Sequence, residues 1–90
     1  MNKERRKQIA NVDSIIGRIR EMLEEAKSEA ETARDEERDA FDNMPESLQG
    51  SEKGERASAA ADALDELVSA LEEADSALEN ASGYIETASE

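Results

Sequence analysis

From Ile9 onward the apolar residues recur at alternating steps of three and four: Ile9, Val12, Ile16, Ile19, Leu23, Ala26, Ala30 and Ala33, then Glu37, Ala40 and Met44. Assigned to the a and d positions of a heptad, they form a coiled-coil seam with one polar interruption. A second run repeats the pattern without a break: Ala57, Ala60, Leu64, Leu67, Leu71, Ala74, Leu78, Ala81, Ile85 and Ala88. The spacing predicts an all-α chain with two long helices, about 4–42 and about 52–88, and a hinge at about 43–51, in one domain. At about 1.5 Å per residue, each helix would run on the order of 55 Å.

The hinge, Asn43-Met44-Pro45-Glu46-Ser47-Leu48-Gln49-Gly50-Ser51, holds the only proline. Proline suits a first helical turn and cannot continue a preceding helix, so Asn43 is expected to cap a short Pro-Glu-Ser-Leu turn, Gly50 to end it and Ser51 to cap the second helix. A flexible linker is the alternative. Met44 and Leu48 favour a turn packed on the end of the seam.

Folding back at residue 48 or 49 pairs positions whose numbers total about 97. Ile9 then faces Ala88, Val12 faces Ile85, Ile16 faces Ala81, Ile19 faces Leu78, Leu23 faces Ala74, Ala26 faces Leu71, Ala30 faces Leu67 and Ala33 faces Leu64. Most of these pairs set a large side chain against an alanine, the alternation a close two-helix seam needs. The expected architecture is an antiparallel coiled-coil hairpin. Its e side carries Arg20, with Asp75 opposite, and is closed by charge. Its g side is apolar, with Ile15, Met22, Ala63, Ala70, Ala77 and Tyr84, a stripe wider than a hairpin uses. Such a stripe is expected to make a homodimer, a four-helix bundle, or to dock on a partner; a monomer with harmless surface alanines is the alternative. Glu37, at an a position, would cost several kcal/mol if buried alone, so a pairing with Arg56 is expected.

Composition narrows the function classes. Aromatics are 2% and charged residues 39%, with a net charge of −13, and there is no histidine, cysteine or tryptophan. The commonest general base, the thiol nucleophile and most transition-metal ligands are therefore missing. Neither enzyme chemistry nor a cofactor is expected. The carboxylates of Asp35-Glu36-Glu37-Arg38-Asp39 lack the spacing of a calcium loop and read as a solvated helix face. No run approaches the roughly 20 apolar residues of a membrane span, and the basic opening Lys3-Glu4-Arg5-Arg6-Lys7 leads into amphipathic helix rather than a signal-peptide core. A soluble, cytoplasmic protein without membrane contact is the expectation.

Charge is also unevenly spread. Residues 1–20 carry +4, residues 21–56 carry −8 and residues 57–90 carry −9, with no lysine or arginine after Arg56. The basic start would lie beside Glu86 and Glu90 and be neutralised there, and the whole molecule would repel a phosphate backbone, so direct nucleic-acid binding is not expected. The second helix presents Asp62, Asp65, Glu66, Glu72, Glu73, Asp75 and Glu79 as an acidic face. Carboxylate columns on a rod can stand in for backbone phosphates and suit a basic groove of a DNA-binding protein. Ordinary solubilisation is the bland alternative.

The stretch Asp35-Glu36-Glu37, Ala40-Phe41-Asp42-Asn43, Pro45-Glu46-Ser47-Leu48-Gln49, Ser51-Glu52 and Gly54-Glu55, with the basic opening and the Leu/Ala-rich acidic second helix, resembles small acidic helical proteins of phages and prophages of Gram-positive bacteria. The resemblance spans most of the chain and carries no settled activity. It implies a bacterial host cytoplasm and a protein that binds and inhibits or modulates host machinery, as acidic phage inhibitors of CRISPR effectors and restriction enzymes do by mimicking nucleic acid. It also makes the hinge tip, Pro45, Glu46, Leu48 and Gln49, a second candidate contact. A structural or adaptor coiled coil that acts by oligomerising is the competing expectation.

Overall fold

The computed structural model describes residues 2–90. It is all-α: α1 (Lys3–Asp42), α2 (Glu46–Gln49) and α3 (Glu52–Ser89), with no strand among the described residues. The molecule measures 69 × 15 × 14 Å. A helix of 40 residues is about 60 Å long, so the long axis holds one helix length, and α1 and α3 lie side by side along it.

Each long helix begins on a side-chain cap. The Asn2 carboxamide oxygen accepts from the Arg5 amide at 2.9 Å, and the Ser51 hydroxyl accepts from the Gly54 amide at 3.5 Å. Glu4 in the first turn of α1, and Glu52 and Glu55 in that of α3, complement the positive helix ends. α1 ends where Pro45 forces extended backbone, at φ −57° and ψ 145°. Asn43 closes α1 at its C-terminus, its amide donating to Asp39 and Phe41 carbonyls. Pro45 occupies the N-cap of α2 instead, without a side-chain bond; the expected role of Asn43 as that cap is corrected.

The turn is held by Gln49. Its side-chain nitrogen donates to the carbonyls of Phe41 at 3.2 Å and Met44 at 3.4 Å, binding α2 to the open end of α1. Gly54 lets α3 pass close beneath. A Cβ there would sit 2.2 Å from the Gln49 carbonyl oxygen and 2.6 Å from that of Leu48, against backbone that has little room to move. Met44 is half-buried, whereas Leu48 stays exposed.

Four ion pairs join the long helices: Arg20 to Asp75 at 2.8 Å, Lys27 to Glu72 at 3.5 Å, Arg34 to Asp65 at 3.0 Å, and Arg38 to Asp65. Their residue numbers rise on α1 as they fall on α3, and total 95, 99, 99 and 103. All four lie on the expected charged side.

On α1 the seam is rotated from the expected one, whereas on α3 every expected position except Leu67 and Ala88 is buried or half-buried. The seam's buried side chains are Ala30, Ala57, Ala61 and Val68. Ala61 and Val68 occupy e positions, and on α1 the half-buried residues are Ile9, Ile16, Arg20, Leu23, Lys27, Glu31, Ala33, Arg34, Glu37 and Phe41, mostly at a and e. Val12, Ile19 and Leu67, expected in the seam at d, are exposed. Small e-position residues permit close approach on that side, and the guanidinium–carboxylate pairs draw the helices the same way. The expected Glu37–Arg56 pair is also absent. Arg56 bonds Glu52 one turn away at 2.5 Å, and Glu37 is only half-buried, so its charge stays hydrated. Among the described residues, no ion pair joins Lys3–Lys7 to Glu86 or Glu90.

The glycines separate by their surroundings. Gly54→Ala is expected to destabilise the fold by about 1–3 kcal/mol through overpacking against the turn. A Cβ at Gly17 or Gly83 meets nothing within 4 Å, so Ala at either is expected to stabilise by about 0.5–1 kcal/mol. Urea denaturation followed by circular dichroism checks both signs.

Candidate functional site

The acidic face of α3 divides into two sets once its neighbours are placed. Asp75 receives two hydrogen bonds from Arg20, at 2.8 and 3.2 Å. Asp65 is bridged by Arg34 and Arg38, and Glu72 lies 3.5 Å from Lys27. Glu79 stands in the field of Arg20. Asp65, Glu72 and Asp75 are thus directed at cations of α1, and Glu79 is exposed and makes no ion pair among the described residues. Asp62, Glu66 and Glu73 are exposed, have no cation partner among the described residues, and share an outward line by their spacing of four and seven.

The electrostatics follow the same division. The Arg20 guanidinium holds the Asp75 carboxyl below its ordinary range, against a partial loss of hydration that pushes the other way. Arg34 does the same to Asp65, with Arg38 adding to it. In return Arg20 is raised by Asp75, and Arg34 is raised by Asp35 first and Asp65 second. No group of three or more histidine, cysteine or carboxylate side chains among the described residues is placed to hold a metal ion. No helix among them is long and apolar enough to cross a membrane.

The hinge tip is mixed. Pro45, Glu46 and Leu48 are exposed, while Gln49 is half-buried and committed to the turn. The apolar stripe is wider than expected. Ile15, Met22, Ala63, Ala70, Ala77 and Tyr84 are all exposed, and the rotation of the seam adds Val12, Ile19 and Leu67. Those three had been assigned to the interior by periodicity. The signal that would have released them is the e column of α3, where Ala61 and Val68 are as apolar as any d position.

An acidic-range stability test follows from the depressed carboxyls. A carboxyl lowered in the folded state stabilises above its unfolded pKa, and that contribution is lost as pH falls through the folded value. Asp75→Asn is expected to lower the melting temperature at pH 7, and the difference from the parent should shrink at a strongly acidic pH, below the ordinary carboxyl range. Thermal melts at both pH values check this; an equal difference at each contradicts it. No family model matches the chain, and no curated protein or solved structure matches it either.

Proposed function

We propose that the chain is a non-enzymatic, protein-binding helical hairpin that presents acidic side chains to a basic surface of a host protein, in the manner of an acidic phage-type inhibitor. One observation carries this reading: Asp62, Glu66 and Glu73 form an outward row without cation partners, on a helix with no lysine or arginine after Arg56. Descending ion-pair partners and a length of one helix support the antiparallel hairpin as the folded unit. A net charge of −13 favours rapid encounter with a basic partner and disfavours a phosphate backbone. The hinge tip would add Pro45, Glu46 and Leu48 at the end of the rod. The resemblance to phage and prophage proteins supplies the bacterial cytoplasm as the setting.

A second reading is favoured by a different observation. Met22 and Tyr84 are 59% and 79% exposed on the stripe opposite the ion pairs. A structural or adaptor role, with hairpins pairing into a four-helix bundle, uses that side.

The two readings part on neutralisation. The variant Asp62→Asn, Glu66→Gln, Glu73→Gln keeps every ion pair described above. If the acidic row binds the partner, a host protein captured by the parent at low salt is released as ionic strength rises and is not captured by this variant. Equal capture by parent and variant, or capture indifferent to salt, contradicts the acidic-face reading.

A further inference from the structure

On the side away from the ion pairs, the half of the molecule bearing the chain termini differs from the hinge half. Val12, Ile15, Ile19 and Met22 follow one another at steps of three and four on α1, and Tyr84 lies at about the same level on α3. The chain has 24 acidic residues, yet none falls on this face over residues 8–22 of α1 or 77–88 of α3. Asp13, Glu21, Glu79 and Glu86, the acids within those ranges, occupy e, f and b positions on other sides. The rim here is Gln8, Asn11, Asn80 and Thr87, with Arg18 the one charge. Nearer the hinge the same side becomes acidic, with Glu25, Glu29 and Glu36 on α1 and Glu66 and Glu73 on α3.

We propose that this carboxylate-free apolar face mates with the same face of a second copy, the two hairpins running antiparallel and overlapping only in their terminal halves. The inference rests on the hairpin reading above and fixes which side and which half of it associate. Two features select a second copy. The face is nearly uncharged, and its rim amides both donate and accept hydrogen bonds, so it complements itself about a two-fold axis. Its size also fits: about 22 Å of two adjacent helices, some 20 Å across, buries on the order of 1,000 Å² in total, the lower limit of a specific interface. The dimer is therefore expected to be micromolar and concentration-dependent.

Charge selects the orientation. A parallel pair would set Glu25, Glu29, Glu36, Glu66 and Glu73 of both copies against one another. The antiparallel overlap directs the two hinge halves to opposite ends, many times the Debye length of about 8 Å apart. It leaves Asp62, Glu66 and Glu73 of each copy uncovered, so one assembly displays two acidic arms. Because two chains of net charge −13 repel, salt should strengthen this association, the reverse of its effect on a basic partner.

Sedimentation of the parent chain across micromolar concentrations, at about 0.05 and about 0.5 M salt, tests the interface. A monomer–dimer equilibrium shifted toward dimer by salt is expected. Ile15→Glu with Met22→Glu should be monomeric with unchanged helicity, as should Tyr84→Lys, which alters the most exposed of these side chains. A parent that stays monomeric, or a dimer untouched by both variants, overturns the proposal. Ser47→Cys, in a chain without native cysteine, carries a spin label at the hinge. In the dimer the labels should be more than about 60 Å apart from helix rise alone, whereas labels within about 30 Å mean a parallel bundle and overturn the arrangement. The neutralised Asp62, Glu66, Glu73 variant should dimerise as the parent does, so a failed acidic face and a failed interface give different results.

Discussion

Two helices lying side by side have only each other to pack against, and every other property of this molecule follows from that restriction. Each helix buries a single stripe, and the buried side chains are small: Ala30, Ala57, Ala61 and Val68. The large aliphatic residues around them are half-covered. Stability in such a rod depends on which stripe each helix turns inward. That choice falls on the e side, where alanine allows close approach and the Arg20–Asp75 and Arg34–Asp65 pairs offer directional contacts. Exposed ion pairs of this kind contribute little energy singly. They matter here because a symmetrical apolar stripe has few other means of fixing helix rotation.

The rotation distributes the surface as well as the core. Carboxylates turned toward α1 become structural, so Asp65, Glu72 and Asp75 are spent on the fold's own cations. The row Asp62, Glu66 and Glu73 remains without a cation partner among the described residues. On the far side, d positions that close packing would have consumed are returned to the surface. A chain with 39% charged residues thereby acquires two unlike faces, one acidic and one apolar.

The helical period from Ile9 to Ala88 was legible because alternating steps of three and four have no other regular explanation, and the hinge was legible through Pro45 and the Gly50-Ser51 pair. The charged e side was legible too, since Arg20 and Asp75 fall opposite each other at any register near the one favoured by side-chain volume. The rotation of the seam was not. Alanine and valine at e positions, as at Ala61 and Val68, have the same apolarity as residues at d, and periodicity measures spacing rather than which neighbouring column faces inward. Gly54 was equally silent. Its importance lies in two carbonyls of the preceding turn, which only the folded chain brings beneath it. Glu37 misled for the opposite reason: an a position in a narrow rod is not dry, and its carboxylate needs no partner.

The proposed basic target and the proposed second copy fall on different faces, and salt is expected to move the two associations in opposite directions. The claim beneath both is that the side bearing Val12, Ile15, Ile19 and Met22 faces outward while Val68 and Ala30 face inward. Isotope-filtered NOE spectroscopy on a mixture of labelled and unlabelled chains addresses it directly. Intermolecular NOEs confined to the methyls of Val12, Ile15, Ile19 and Met22 and the ring of Tyr84, with none to Val68 or Ala30, are the predicted result; intermolecular NOEs to Val68 or Ala30, or none at all at high concentration, would contradict it.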